Sequence, residues 1–263
     1  DSSTVSLKGV LDGAELDFAG AVETMTLAVS GSASRFDNLV FAATTTTLNV
    51  DADEAFRVDD IFTGAALTSL VVTGDSSVRI TPTLADTVAT VNASANSGGV
   101  NVLIGNVIAT ATGGTGDDRF AFALGELVAT DTVAGGAGTD TLSIMDETLS
   151  TALMAEVNAS TDMEILEMAA TGATTDMAIA LSSLTSIDAV TFAGAAPVGT
   201  AGVASNTASN AGTAAVTITA NENTDTITVT GDITGGVGGA TLGAGTGNGG
   251  AGAAAIVATN LVD

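Results

Sequence analysis

The sequence predicts an all-β protein, a parallel β-roll or β-solenoid of irregular rungs with a few short helices. Three observations predict it. Short segments that alternate apolar and polar residues and close on Gly recur along the 263 residues, as half-buried strands followed by tight turns do. Gly, Ala, Thr and Val are abundant while Lys and Glu are scarce, which disfavours long surface helices. Two glycine-rich nonamers start 22 residues apart, at Gly113 and Gly135. A recurring strand-plus-turn unit suggests rungs that cover one another. A β-sandwich, which also gives many short strands with turn signals, is the competing architecture.

Taken in order, Glu23 to Gly31 and Leu67 to Gly74 each read as one strand ending in a turn. Thr83 to Ala89 places Leu84 and Val88 four apart and reads as a short helix. Thr148 to Val157 reads as a second, with Leu149, Leu153 and Val157 on one face and Thr148 or Glu147 near its start. Met163 to Gly172, Leu184 to Gly194 and Asp225 to Gly231 read as further strands. Ala195 to Thr213 drifts to Gly, Ala, Ser, Asn and Thr around Pro197, a linker composition. The expected division is N-terminal β rungs over 1–66, a nonapeptide-bearing roll over 67–194 and a Gly/Ala/Thr-rich β segment over 195–263. Seven of the eight Phe precede residue 123, which places the better apolar core in the first half.

Charge narrows the function. There are 30 acidic residues against 5 basic ones, and every basic residue lies at or before Arg119. Such a surface repels nucleic-acid backbones and anionic lipid alike. No segment is apolar enough for a membrane span and no signal peptide is visible. The chain opens at Asp1 rather than Met, as a processed product or a piece of a longer protein does. Cys, His, Trp and Tyr are absent. Zinc, copper and iron therefore lose their usual ligands, and general-base or thiol catalysis loses its usual groups. No enzyme activity is expected. Hard cations that take oxygen ligands remain, calcium first.

The informative stretches are Gly113-Gly-Thr-Gly-Asp-Asp-Arg-Phe-Ala121 and Gly135-Gly-Ala-Gly-Thr-Asp-Thr-Leu-Ser143. Both fit G-G-x-G-x-D-x-U-x, the calcium nonapeptide. Glycines permit φ > 0 and clear space for an ion. Asp118 and Asp140 supply negative charge, and Phe120 and Leu142 start a strand and plug the interior. Calcium accepts six to eight oxygens in flexible geometry, whereas magnesium demands a tighter octahedron. Two Asp-containing β-turns without metal are the plainer reading. Thirteen residues separate the copies, so each sits on a longer rung than a regular stack of nonapeptides has. Asp131 is a candidate to complete a ligand set. Near-copies at Gly235 and Gly249 carry Ala240 and Ala254 in place of Asp. Asp12, Glu15 and Asp17, and Asp51, Asp53, Glu54, Asp59 and Asp60, form acidic groups that read first as solvated faces. Thr44 to Thr47 and Thr224 to Thr230 read as β-propensity.

The nonapeptides resemble those of the RTX family of type I secreted proteins. The longer pattern over 67–194 is similar to its surface-layer branch, of the Caulobacter type. Its carriers include Leu67 to Gly74, Val91 to Gly99, Asp131 to Leu142 and Met163-Glu-Ile-Leu-Glu-Met168. The resemblance implies a roll that folds on calcium outside the cell. It implies carbonyl ligands from Gly113, Thr115 and Asp117 with the Asp118 carboxylate, then from Gly135, Ala137 and Thr139 with Asp140. It also implies copies of the chain as partners in a lattice or filament at a bacterial surface, with cell-surface polysaccharide a further partner class. A calcium-stabilised adhesin or binding module is the alternative.

Overall fold

The computed structural model describes residues 1–9, 13–105, 109–146, 149–168, 177–180, 187, 189–192, 215–219, 226–229 and 255–259. The chain divides into two compact units, residues 1–143 with 159–164, and residues 144–158 with 165–263. Residues 1–66 and both nonapeptide turns belong to the first unit.

In the first unit the strands are β1 (Ser2–Leu7), β2 (Ala14–Phe18), β3 (Thr24–Val29), β4 (Ser34–Phe41), β5 (Thr47–Ala52), β6 (Phe56–Thr63) and β7 (Ser69–Gly74). They continue as β8 (Val78–Thr83), β9 (Thr90–Asn96), β10 (Val100–Ile104), β11 (Thr110–Thr112), β12 (Arg119–Phe122), β13 (Thr132–Ala134) and β14 (Thr141–Ile144). Odd strands form one sheet in the order β1-β3-β5-β7-β9-β11-β13, and even strands run β2 to β14 in a second. Each strand lies parallel to the one two places on. The chain therefore climbs one rung for every odd-even pair, about seven turns in all. This is the β-solenoid expected from the sequence, and the parallel pairing excludes an antiparallel sandwich.

The alternation in sequence becomes columns in space. Strand side chains alternate between faces, and β3 shows it as half-buried and buried residues in turn. Met25, Leu48, Leu70, Val91, Ala111 and Val133 are successive register partners across the odd sheet, all buried. Val58, Ile80, Val102 and Phe120 do the same across the even sheet. Burying each of the larger side chains in these columns, Ala111 apart, is worth roughly 1.5–3 kcal/mol. Phe41 stacks on Phe18 at 5.5 Å and meets Phe62 edge-on at 5.6 Å, and Phe36 lies 6.0 Å from Phe56.

One predicted helix is absent. Thr83 is the last residue of β8, and 84–89 form a turn closed by Val88 N donating to Ala85 O at 2.8 Å. Leu84 N donates instead to Leu103 O on the next rung. Seven residues are too few to offset helix nucleation, and rung stacking takes the backbone groups. Leu84 and Val88 are buried all the same. The other helix forms as α1 (Thr151–Ala159), with Leu153 and Val157 buried. Its start lies at Ser150, whose Oγ accepts from Leu153 N at 3.1 Å, an N-cap bond.

In the second unit β15 (Ile165–Met168), β17 (Ala189–Phe192) and β19 (Thr226–Val229) pair in parallel. So do β16 (Met177–Ala180), β18 (Ala215–Thr219) and β20 (Ala255–Thr259). The linker at 195–213 falls outside the described residues. So do the near-copies after Gly235 and Gly249, apart from the Ala255 to Val257 portion in β20.

Candidate metal centre

The two nonapeptides form stacked turns. Residues 113–118 link β11 to β12, and 135–140 link β13 to β14 one rung on. Backbone bonds stitch the stack: Gly113 N donates to Ala134 O at 2.8 Å, Ala137 N to Gly114 O at 2.9 Å and Gly135 N to Thr161 O at 2.9 Å. The glycine requirement is partly conformational, since Gly136 sits at φ 102 and Gly138 at φ 140. Gly113, Gly114 and Gly116 do not have positive φ, contrary to the sequence expectation. Their constraint is close approach. A Cβ on Gly113 would lie 1.9 Å from Gly135 O, and one on Gly114 1.8 Å from Asn96 O. The rungs pass too near each other for any side chain there.

The two aspartates point inward from these turns. Asp118 is 2% exposed and Asp140 0%. Asp118 Oδ1 accepts from Val100 N at 2.6 Å and Oδ2 from Gly114 N at 2.7 Å. Asp140 Oδ1 accepts from Asp118 N at 2.7 Å, so each carboxylate ties its own turn to the rung before it. Asp140 Oδ2 is buried and has no hydrogen-bond partner. It lies 2.4 Å from where a Cβ on Gly135 would sit. Desolvation pushes the Asp140 carboxyl up to about 6; the Asp118 N–H opposes this, and the charges of Asp118, Glu164 and Asp117 add to it. Desolvation also raises Asp118, against the bonds from Gly114 and Val100 and with the Asp117 charge.

The remaining predicted residues divide. Thr115, Asp117, Ala137 and Thr139 lie exposed on the same turns, and Asp117 Oδ1 accepts from Thr139 N at 2.8 Å. Asp131 does not join them. It precedes β13, whereas the second turn follows β13. Its oxygens accept from Ala109 N at 2.7 Å and Val128 N at 2.9 Å, which fastens that corner. Two residues missed in the sequence complete the turns. Glu164 Oε2 accepts from Asp140 N at 2.7 Å. Buried Asn96 holds the preceding turn, its Oδ1 accepting from Gly99 N at 2.9 Å and its Nδ2 donating to Ser76 O at 3.0 Å. The 22-residue step was a signal for Asn96, which lies 22 residues before Asp118; Glu164 lies 24 after Asp140, off that step.

Among the described residues, no three acidic side chains gather in a group that could hold a metal ion. In the other acidic groups, Glu15 accepts from Asn38 at 2.8 Å, Asp51 from Thr73 at 2.9 Å, and Asp59 is shared by Arg35 and Arg57. A cation at the glycine turns would thus be held by one or two carboxylates with backbone carbonyls. The orphaned, desolvated Asp140 Oδ2 fits that role, because a buried anion without a partner is costly and a divalent ion removes the cost. The residues that would hold it are Asp140 and Asp118 with carbonyls of Gly113, Thr115, Asp117, Gly135, Ala137 and Thr139. Bound there, it would supply charge neutralisation and cross-links between rungs.

Comparison with known proteins gives no match to a family model, a curated protein or a solved structure. Among the described residues, no helix is long and apolar enough to cross a membrane.

Proposed function

We propose that this chain is a structural subunit of a calcium-dependent surface layer or filament, secreted to the outside of a bacterial cell, non-catalytic, and folded and assembled on calcium. The observation that carries this reading is the Asp140 carboxylate, buried with one oxygen unpartnered beside Asp118 and Glu164. No basic residue follows Arg119 to offset it. A chain of net charge -25 resists compaction where divalent ions are scarce. Extracellular calcium modules bind at roughly 10⁻⁴–10⁻³ M, so export would deliver the chain into calcium that stabilises only its native state.

Circular dichroism and thermal melting in chelator and in millimolar calcium test the reading. A melting point that rises with calcium, and rises less after Asp118→Asn with Asp140→Asn, supports it. Identical spectra and melting points in both solutions refute it. Electron microscopy of the calcium-loaded protein separates the roles: sheets or fibres mark a lattice or filament subunit, and dispersed rods mark an adhesin.

A further inference from the structure

Two turns of the stack carry the nonapeptide, but a third repeats their bonding without it. Residues 159–164 return to the first unit after the body of α1, and Thr161 bridges Ala134 in parallel. Gly113 N donates to Ala134 O at 2.8 Å, and one rung higher Gly135 N donates to Thr161 O at 2.9 Å. The acids form a series as well. Val100 N donates to Asp118 at 2.6 Å, Asp118 N to Asp140 at 2.7 Å and Asp140 N to Glu164 at 2.7 Å. Residues 161–164, Thr-Asp-Met-Glu, are thus the next turn of the series with none of its glycines. Glu164 N donates to Asp140 O at 3.1 Å, as Thr141 N does to Asp118 O at 2.8 Å. Glu164 therefore stands one position past the place of the aspartates, and its longer side chain reaches back to the corresponding N–H.

Two gaps separate the three turns, and they differ. In each, the place a Cβ would take on a glycine is flanked by two oxygens. At Gly113 these are Gly135 O at 1.9 Å and Asp118 Oδ2 at 2.3 Å; at Gly135 they are Asp162 O at 1.8 Å and Asp140 Oδ2 at 2.4 Å. In the lower gap the protein satisfies the carboxylate itself, since both oxygens of Asp118 accept backbone N–H groups. In the upper gap Asp140 Oδ2 has no partner, on a side chain that is 0% exposed. Asp162, whose carbonyl lies beside it, is the one non-glycine residue with positive φ among the described residues, at φ 52. That backbone region is unfavourable for residues with a Cβ and least so for Asn and Asp. The unusual backbone and the orphaned oxygen meet at the same gap.

We propose that the gap between the second nonapeptide turn and residues 161–164 is the divalent-cation site that fills first, with Asp140 Oδ2 and the Asp162 carbonyl as ligands and Glu164 beside them as a further negative charge. Hard cations take carboxylate and carbonyl oxygens together, and an ion here pairs the carboxylate oxygen that no N–H serves. The ion also fastens to the nonapeptides a turn that lies beyond their motif. The assignment rests on the calcium reading above and deepens it: the third turn completes a site to which the repeat contributes one side.

The test titrates the full chain with calcium alone by calorimetry, beside melting curves of the same samples in calcium and in chelator. Asp162→Val, whose β-branched side chain resists φ > 0, is expected to turn the carbonyl away and weaken the first ion about tenfold or more, as the loss of a ligand does. Asp162→Gly and Asp162→Asn accept that φ and are expected to keep most of the affinity. Glu164→Gln keeps an oxygen for Asp140 N and is expected to weaken the same ion about tenfold through its lost charge. Asp140→Asn is expected to weaken the first ion more than Asp118→Asn does. Wild-type affinity in both Asp162→Val and Glu164→Gln overturns the site, as does equal weakening by Asp162→Gly and Asp162→Val, or a larger loss from Asp118→Asn than from Asp140→Asn. Calcium binding that none of the variants at 162 and 164 alters refutes this site and leaves the calcium reading in place. A wild type that binds no calcium, with one melting curve in both solutions, refutes both.

Discussion

Replacing the Asp140 carboxylate with an amide, Asp140→Asn, is expected to stabilise the chain at neutral pH in chelator and to destroy part of its response to calcium. The size of the effect follows from the site. Asp140 titrates at about 6 in the folded chain against an ordinary 3.8, so the folded state holds its proton more tightly than the unfolded state does. Below about pH 3.8 both states are protonated and the group costs nothing. Between 3.8 and 6 the unfolded chain releases a proton that the folded chain keeps, and stability falls as pH rises. Above 6 the loss is complete. At about 1.4 kcal/mol per pH decade, it amounts to about 3 kcal/mol. Asn keeps an oxygen for the Asp118 N–H and removes the charge, and buried Asn96 shows that an amide can serve in such a turn. Urea unfolding of both proteins from pH 4 to 8, in chelator, measures the difference. The expected variant gains up to about 3 kcal/mol at pH 7.5, a gain that shrinks to nothing near pH 4. In millimolar calcium the order reverses, because the ion stabilises the ionised wild type. A variant less stable than wild type at pH 7.5 in chelator, with the pH profile unchanged, would refute a desolvated carboxylate at this turn.

Other outcomes follow from the same geometry. Gly113→Ala is expected to cost about 3 kcal/mol or more, since its methyl would meet Gly135 O at 1.9 Å; Gly20→Ala, with nothing within 4 Å, is expected to be neutral or to gain about 0.5 kcal/mol. Chemical denaturation of the two compares them directly. Asp131→Ala frees the Ala109 and Val128 N–H groups and is expected to cost about 1–3 kcal/mol, yet to leave calcium affinity by titration calorimetry unchanged, because Asp131 lies across β13 from the second turn. Leu70→Ala, in the middle of the odd-sheet core column, is expected to cost about 2–5 kcal/mol, measured by urea unfolding in calcium.

Much of the fold was legible because a solenoid repeats its local rule. Glu23 to Gly31 alternates and becomes β3; Leu67 to Gly74 alternates and contains β7. The helix expected over 83–89 failed because spacing on one segment says nothing of the neighbouring rung, and Leu103 O takes the Leu84 N–H. At the site, Asp118 and Asp140 were legible from the nonapeptide and are both buried at the turns. Asp131 was grouped with them by proximity in sequence, but three residues of strand carry the chain across the rung. Glu164 was overlooked for the converse reason, 24 residues away in sequence and one hydrogen bond away in space.

Composition and pattern by themselves determined the all-β class, the lack of soft metal ligands, the excess of negative charge and the two glycine turns, since these depend on residue types and spacings alone. The tertiary structure decided which residues share a column. Ser2, Thr24, Thr47, Ser69, Thr90, Thr110 and Thr132 are irregularly spaced in the chain yet stand as consecutive register partners, and Arg35, Arg57 and Arg79 do so on the other sheet. Rung lengths vary by a few residues because bulges and turns absorb the difference, while backbone hydrogen bonding fixes the pairing between rungs. Periodicity lost along the sequence is thereby restored in space.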